Sequence, residues 1–324
     1  MEKATYSYAG YVEKDGYYFG SIFKYRNSPK DAIIIYKEIT NEEIEYINSN
    51  KIDKLFVDGR QGLVTSLDFL KKLDDVKYLC IFGDFDVSPI YRLKKLKFLT
   101  TTMKNTIDLS MLPHLEWLST STPNYFDNID RAINLKSLSI YNYSKEKCNP
   151  KIFKDIPKLK NLDTLLIANT DLIDLSFLNH QMNLQVLILM ENRKLVNIAS
   201  LNKIKGTLTS LSIILSRTIE SYHCLKEMNQ LVYLYLKSNK FIDTISFIDN
   251  MINLKSAVIV DSEIVDGDLT PLFRLNEAVV FPTKKHYHRK KEGLKITTKY
   301  TDLPSGERDK GDSSIDLWRR IHCW

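Results

Sequence analysis

Two histidines near the carboxyl end of the sequence are spaced so that they could hold a metal ion. His286 and His288 are separated by one residue, so a strand would place both imidazoles on the same face. Two ligands are fewer than a protein metal site normally has, and we predict no bound metal. The histidines belong to the basic run KKHYHRKK (284–291). We interpret this run as a solvated terminal face, with phosphate binding as the alternative.

The other residues that could carry chemistry are scattered. The four cysteines form neither a CxxC pair nor a disulfide framework, which is typical of a reducing cytosol: Cys80, Cys148, Cys224 and Cys323. The sequence has no Walker-type phosphate loop, no GxSxG elbow and no HExxH helix. Carboxylates such as Asp84, Asp86 and Asp171 are not grouped as an acid–base pair and are interpreted as turn residues. We therefore predict a protein without catalytic activity and without a cofactor.

Composition sets the class of protein. The chain has 324 residues, of which 44% are hydrophobic, so a large core can form. The formal net charge of +6 is mildly basic and weaker than a dedicated nucleic-acid binder usually shows. No window reaches the roughly 18 apolar residues of a membrane span. The first twenty residues lack the apolar segment of a secretory signal, so we predict a cytoplasmic location.

A repeated L-x-x-L-x-L pattern organises most of the chain. Successive motifs begin 19 to 27 residues apart, close to the leucine-rich-repeat range of roughly 20–29. The eleven motifs have their first, fourth and sixth positions at Ile52-Leu55-Val57, Val76-Leu79-Ile81, Leu96-Leu99-Thr101, Leu115-Leu118-Thr120, Leu135-Leu138-Ile140, Leu162-Leu165-Ile167, Leu184-Leu187-Leu189, Leu208-Leu211-Ile213, Leu231-Leu234-Leu236, Leu254-Ala257-Ile259 and Leu275-Ala278-Val280.

This spacing predicts one short strand in each unit. Alternate side chains of a strand point to opposite faces, so the fourth and sixth positions enter a core that the first position shares. The second half of each unit adds buried residues, for example Leu172, Ile173, Leu175 and Leu178, or Leu195, Ile198 and Leu201. No unit can bury these side chains alone, so stacked units would share one core beneath a parallel sheet.

Units six to ten resemble the bacterial 22-residue, internalin-type leucine-rich repeat. The segment LDTLLIANTDLIDLSFLNHQMNL (162–184) is most similar, and the resemblance covers about residues 52–281. It implies a curved solenoid whose concave sheet binds proteins. The asparagine that this family carries three residues after the third leucine is present as Asn192 and Asn239, but is replaced elsewhere by Thr170, Ser216, Ser262 and Asp84. Secreted internalins also carry an export signal, which we do not find in the first twenty residues here. The receptor partners of internalins are therefore not expected for this chain.

The predicted fold class is α/β: a leucine-rich-repeat solenoid of about eleven repeats with non-repeat caps. Residues 1–51 form the N-terminal cap, 52–281 the solenoid, and 282–324 a basic C-terminal cap and tail. YSYAGYVEKDGYYFGSIFKYR (6–26) predicts a β-hairpin with an Asp-Gly turn, and NEEIEYINSN (41–50) a short helix. An independent binding module is the alternative to a cap. The tail IDLWRRIHCW (315–324) would seal the core through Leu317, Trp318, Ile321 and Trp324, or bind a partner.

The third, fifth and seventh positions of each motif should point away from the core into the concave face. These positions are rich in aromatic and aliphatic residues and poor in charge, as at interfaces. Two other interpretations stay open: terminal segments could fold over the groove, or curved strands could pack these side chains on one another. The predicted partner-binding residues are Phe56, Tyr78, Phe82, Phe98, Trp117, Tyr141, Leu166, Ile188, Tyr233 and Tyr235.

The sequence thus predicts a non-catalytic module that holds a protein partner on its concave face. Eleven strands about 4.8 Å apart make an arc of roughly 48 Å, which suits a folded domain. An immunity-type inhibitor of a toxin is a specific form of this hypothesis. A nucleic-acid-binding protein that uses the basic C-terminal segment and the concave aromatics is the alternative. Only Lys54 and Lys237 lie among those aromatics, which disfavours nucleic acid as the partner.

Overall fold

The computed structural model describes residues 12–20, 31–142, 150–239 and 241–287. The chain divides into two compact units. Unit 1 takes in the described residues up to Leu135, and unit 2 takes in those from Lys136 to Tyr287. Within the described residues, no helix is both long enough and apolar enough to cross a membrane.

Unit 1 is built on a sheet of seven described strands and carries one α-helix. In chain order its elements are β1 (Val12–Lys14), β2 (Tyr17–Gly20), β3 (Ala32–Ile35), α1 (Asn41–Ser49), β4 (Lys54–Asp58), β5 (Tyr78–Phe82), β6 (Phe98–Thr101), β7 (Ile107–Asp108), β8 (Trp117–Thr120) and β9 (Phe126–Asp127). The main sheet has the order β1-β2-β3-β4-β5-β6-β8, whereas β7 and β9 form a separate pair. Strands β3 to β8 of the main sheet are parallel.

The predicted hairpin and helix are both present in unit 1. Strands β1 and β2 pair antiparallel, and the turn residues Asp15 and Gly16 both have positive φ, as a two-residue type I′ turn requires. Helix α1 begins with a capping box in which Thr40 and Glu43 exchange hydrogen bonds between side chain and backbone. The Tyr46 hydroxyl of α1 donates to Asp15 at 2.9 Å, which ties the helix to the hairpin turn.

The parallel ladder of unit 1 begins one strand earlier than the sequence motif predicts. Residues 1–51 were expected to lie outside the repeats, but β3 pairs parallel with β4 in full repeat register. Ile33 lies opposite Leu55 and Ile35 opposite Val57. The spacing of 22 residues between these pairs was visible in the sequence. No leucine precedes β3 at the first motif position, and helix α1 instead of a 3-10 turn connects β3 to β4. The L-x-x-L-x-L pattern therefore does not reveal this strand.

Unit 2 contains the other seven described strands of the large sheet, all of them parallel to one another. Its elements are β10 (Ser137–Tyr141), α2 (Pro150–Asp155), β11 (Thr164–Ala168), β12 (Val186–Met190), β13 (Ser210–Ile214), β14 (Tyr233–Lys237), β15 (Phe241–Ile242), β16 (Ser256–Val260), β17 (Glu263–Ile264) and β18 (Glu277–Phe281). Strands β15 and β17 form a separate parallel pair. Each of the eleven predicted motif strands is therefore present, four in unit 1 and seven in unit 2. The chain folds as a leucine-rich-repeat solenoid.

Short 3-10 turns return the chain between most of these strands, at Asp68–Lys72, Ser88–Arg92, Leu109–Met111, Pro123–Tyr125, Ile129–Arg131, Ile156–Lys158, Ala199–Ile204, His223–Glu227, Ser246–Asn250 and Thr270–Arg274. A polar side chain precedes most of them and accepts the backbone N–H two residues further on. These acceptors are Ser66, Asp86, Asp108, Asn197, Ser221, Thr244 and Asp268. Asp174 accepts the Ser176 N–H in the same way at a turn that is not 3-10. The interpretation of Asp86 as a turn residue is confirmed.

The core lies on one face of each sheet, under the fourth and sixth motif positions. Every leucine at a fourth position, from Leu55 to Leu234, is at most 2% exposed. The second halves of the units add Leu175, Leu195 and Ile198, as predicted. Ile173 was predicted to be buried, which is wrong, because it is 64% exposed. Its backbone runs at the surface, where its carbonyl accepts the N–H groups of Val196 and Asn197 from the next repeat.

One residue after each of five strands in unit 2 has a left-handed backbone. Their φ angles lie between +51° and +55°, although none of the five is glycine: Asn169, Glu191, Leu215, Ser238 and Asp261. Each of these residues donates its N–H to the carbonyl of the last residue of the next strand, over 2.6–2.9 Å. This hydrogen bond therefore joins the end of each of these five strands to the end of the next strand in the sheet.

The family's asparagine position works as a ladder in unit 2 even where asparagine is replaced. Asn239 is buried, donates to the Ile213 carbonyl at 2.8 Å and accepts from the Ser216 N–H at 3.2 Å. Its own N–H donates to the Ser262 hydroxyl at 3.1 Å. The Ser262 hydroxyl, which also donates to the Val260 carbonyl, thus takes part in this turn bonding in place of an asparagine.

Candidate partner-binding face

The sheet face opposite the core of unit 1 carries a row of aromatic rings. Tyr78, Phe98 and Trp117 occupy the same motif position on β5, β6 and β8, and parallel register places them side by side. The ring centroids of Tyr78 and Phe98 are 6.1 Å apart, and those of Phe98 and Trp117 are 5.3 Å apart, nearly edge to face. The three rings therefore form a continuous row across strands β5, β6 and β8.

A second aromatic contact joins neighbouring strands of the same face. The ring centroids of Phe56 on β4 and Phe82 on β5 are 5.4 Å apart. Gly59 follows β4, and a Cβ at this position would collide with the Phe85 ring, so only glycine fits. The Gly59 N–H donates to the Phe82 carbonyl at 2.7 Å, which holds the end of β4 against β5.

Both described cations on this face are paired with carboxylates. Arg60 donates through Nε and Nη2 to the buried Asp58 carboxylate, at 2.8 and 2.6 Å, and its guanidinium lies 4.9 Å from the Phe82 ring centroid. Lys54 forms an ion pair with Asp31, and its ammonium lies 5.4 Å from the Tyr78 ring centroid. The roles of Asp31 and Arg60 cannot be predicted from the repeat motif, because they depend on where β3 and the turn after β4 bring these side chains.

Strand β14 carries the aromatic group of unit 2. Tyr233 and Tyr235 are half-buried and point away from the core. Register places Tyr233 between Ser210 and Ser256, so its ring stands between two small side chains. Tyr235 has Ser212 on one side and Val258 on the other.

Four of the ten predicted contact residues are less accessible than the sequence analysis expected. Phe98 is 4% exposed, Tyr141 7%, and Leu166 and Ile188 2% each. Neighbours in register contribute to this burial, because Leu166 lies beside Ile188 and Phe98 lies between two aromatic rings. The six residues that remain half-buried are Phe56, Tyr78, Phe82, Trp117, Tyr233 and Tyr235. These six are the candidate contact residues.

The described cysteines are poor nucleophiles. Cys80 lies in strand β5, is fully buried, and burial raises the pKa of its thiol strongly. Burial also raises the pKa of the Cys224 thiol, to about 11, and its Sγ lies 3.6 Å from the Ile198 carbonyl oxygen. Cys148 and Cys323 lie outside the described residues.

Metal-ligating side chains do not gather in the part of the chain that the structure describes, where no group of three His, Cys, Asp or Glu residues could hold an ion. The His286 Nε2 lies 3.0 Å from the Ile264 carbonyl oxygen, and the Tyr287 hydroxyl accepts the Ile264 N–H at 3.1 Å. Lys284 forms an ion pair with Glu263 at 3.5 Å. The start of the basic run thus packs on unit 2, whereas His288 and the tail 315–324 lie outside the described residues.

Solved structures with a similar course of the chain were found at low sequence identity. The internalin InlF from Listeria monocytogenes is 17% identical, with a TM-score of 0.49 over 77% of this chain and 80% of that one. A TLR13–ssRNA13 complex is 18% identical, with a TM-score of 0.47 over 76% of this chain and 38% of that one. A leucine-rich-repeat protein from Leptospira interrogans is 16% identical, with a TM-score of 0.39 over 76% of this chain and 81% of that one.

The sequence comparisons returned nothing. No family model matches the sequence, and no curated protein matches it significantly. The assignment of the fold therefore rests on the strand register and core of the chain itself.

Proposed function

We propose that this chain is a non-catalytic protein-binding module that contacts its partner through the half-buried aromatic residues on the sheet faces opposite the core. The row from Tyr78 to Trp117 carries this proposal, since strand register fixes its rings in place. Rings held in this way lose little conformational freedom when a partner binds, and Trp and Tyr are the commonest binding hot spots. Tyr233 and Tyr235 form the corresponding contact group on unit 2.

The chemistry of the described residues favours binding over catalysis. The Cys80 thiol has a strongly raised pKa, so the reactive thiolate is scarce. The described carboxylates Asp86, Asp108 and Asp174 accept turn N–H groups and are engaged in structure. We therefore propose no catalytic role for these groups.

Nucleic acid is the less favoured partner because of the pairing of Lys54 and Arg60. A nucleic-acid backbone is bound by Lys and Arg side chains that neutralise its phosphates and release the counterions condensed on it. Both of these cations already have a carboxylate partner, Asp31 and Asp58 respectively. Lys284 is likewise paired, with Glu263.

The finer form of the proposal is an immunity-type inhibitor that acts in the cytoplasm and covers the active site of a toxin. The captured partner decides this point. A partner with toxic enzymatic activity that is lost on binding would support it, whereas a partner that stays active in the complex would limit the chain to scaffolding or regulation.

Affinity capture from the native organism, followed by mass spectrometry, identifies the partner. Affinity is then measured for Trp117→Ala, Tyr233→Ala and a matched aromatic control, Phe241→Ala. Phe241 lies on β15, which is outside the large sheet, and its side chain is exposed. We expect Trp117→Ala or Tyr233→Ala to weaken binding on the order of 30-fold, and Phe241→Ala to have little effect.

Circular dichroism separates lost binding from lost structure in each variant. If both face variants are folded and bind the partner as tightly as the unmodified chain, the proposed face is wrong. If Phe241→Ala weakens binding instead, the partner contacts the other side of the solenoid.

A further inference from the structure

The two cations that contact rings on the face of unit 1 are each paired with a carboxylate. We call Phe56, Tyr78, Phe82 and Trp117, together with the largely buried Phe98 that packs between Tyr78 and Trp117, the aromatic platform. Lys54 and Arg60 both stack on rings of the platform, and each forms an ion pair. Because Asp31 and Asp58 supply one negative charge each, the formal charges of these two pairs cancel. The two charges that contact rings of β5 are therefore neutralised by their own carboxylate partners.

The spacing of the rings suits an extended polypeptide. Successive centroids from Tyr78 to Trp117 are 6.1 and 5.3 Å apart. In an extended chain, residues i and i+2 point to the same side and lie about 6.6 Å apart. A segment laid along the row, across the strands, would set alternate side chains against the rings of Tyr78 and Trp117 and over the largely buried Phe98 between them.

We infer that the aromatic platform takes an extended, uncharged segment of the partner protein, with apolar side chains at alternate positions. This inference rests on the proposed function and names the chemistry of the partner at that site. A charged side chain placed here would lose hydration without finding an unpaired opposite charge. Apolar side chains lose nothing of this kind and gain contact with the rings.

Fluorescein-labelled peptides test the inference on the full chain. Three peptides of about twelve residues repeat Leu-Ser-X-Ser, with X as Ser, Glu or Lys, so that X points to the same side of an extended chain as Leu. Anisotropy titrations at about 50 and 500 mM NaCl should show the Ser peptide binding at least about tenfold tighter than the Glu and Lys peptides. Its affinity should change less than about twofold with salt, because no counterions are released.

Two variants connect this binding to the platform. Trp117→Ala should weaken the Ser peptide about tenfold or more, whereas Phe241→Ala should change its affinity less than twofold. Asp31→Asn removes the partner of Lys54 and should raise the affinity for the Glu peptide several-fold at low salt only. This gain would show that the ion pair is what excludes charge.

Equal or tighter binding of a charged peptide would overturn the inference. The same holds if Trp117→Ala leaves the affinity for the Ser peptide unchanged, or if none of the peptides binds. A synthetic IDLWRRIHCW peptide (315–324) that binds more tightly than the Ser peptide would make this chain's own segment the occupant, and would also overturn it. These failures leave the proposed function standing if capture of the natural partner still depends on Trp117 or Tyr233.

Discussion

The carboxamide oxygen of Asn192 accepts two hydrogen bonds from Thr170 of the preceding repeat, one from the backbone N–H at 3.0 Å and one from the hydroxyl at 2.7 Å. The amide nitrogen of Asn192 donates to the Ile167 carbonyl at 2.9 Å. Since Asn192 is fully buried, these bonds replace the water that the turn cannot reach.

We expect Asn192→Ala to lower the free energy of unfolding by about 3 kcal/mol, because it leaves several buried polar groups of the turn unpaired. Urea titration followed by circular dichroism measures the loss. The matched control is Asn253→Ala, since Asn253 also donates to a backbone carbonyl of the preceding repeat but lies at the surface. A loss for Asn192→Ala no larger than that for Asn253→Ala would contradict a structural role of the buried ladder.

The fourth-position leucines should carry stability rather than recognition. Leu187 is fully buried, and truncating such a leucine to alanine typically costs roughly 2–5 kcal/mol. Ile173→Ala serves as the control, because that side chain is largely exposed and its loss should cost less than about 0.5 kcal/mol. Similar denaturation midpoints for the two variants would mean that the repeat phase is misassigned.

Acid should weaken the fold through the carboxylates that accept backbone N–H groups at the turns between strands. Hydrogen bonds from Ser176 hold the pKa of Asp174 below its ordinary value of 3.8, and a hydrogen bond from Ser110 does the same for Asp108. A carboxyl whose pKa is lowered in the folded state stabilises the fold above its unfolded pKa. This stabilisation is lost as pH falls through the folded pKa.

The free energy of unfolding should therefore fall below about pH 4. The double variant Asp108→Asn, Asp174→Asn should lie further below the unmodified chain at pH 5 than at pH 2.5. Denaturant titrations across this range give the comparison. A constant difference between the two proteins would show that neither carboxyl contributes to the acid sensitivity.

The left-handed turn after β13 offers a substitution that should stabilise the protein. Leu215 has a φ of +53°, a conformation that costs a residue other than glycine roughly 1–2 kcal/mol but that asparagine tolerates. We expect Leu215→Asn to raise the denaturation midpoint and Leu215→Val, which is β-branched, to lower it. Changes of the same sign in both variants would show that the lost packing of the half-buried leucine decides the outcome.

The motif periodicity predicted the strands well because core burial and strand alternation act on the same few positions. Leu55 and Leu234 are as inaccessible as their place in the motif requires. Strand β3 was missed because Ile33 and Ile35 repeat the spacing without a leading leucine. The pairing of Lys54 with Asp31 was equally hidden, since it depends on the register of that same strand.

The accessibility of the binding face was harder to predict than its composition. Whether Ile188 or Tyr235 is accessible depends on the sizes of its neighbours on adjacent strands and on what covers them, and the motif pattern contains neither. Ile188 is buried beside Leu166, whereas Tyr235 stays half-buried beside Ser212. The boundaries of the caps, at residues 51 and 281, and the role of 315–324 stay predictions.

The left-handed turns also determine where the chain can tolerate insertions and deletions. In unit 2 each of these residues, from Asn169 to Asp261, follows its strand directly and bonds to the next strand end. One residue inserted directly after a strand would displace this backbone hydrogen bond. It would also move the side chain at the buried asparagine position out of the core. The distance between equivalent core positions nevertheless varies: it is 22 residues between Leu165 and Leu187, for example, and 24 between Leu187 and Leu211. Differences in length between homologues should therefore accumulate on the side of the 3-10 turns, and the strand with its following turn should keep a constant number of residues.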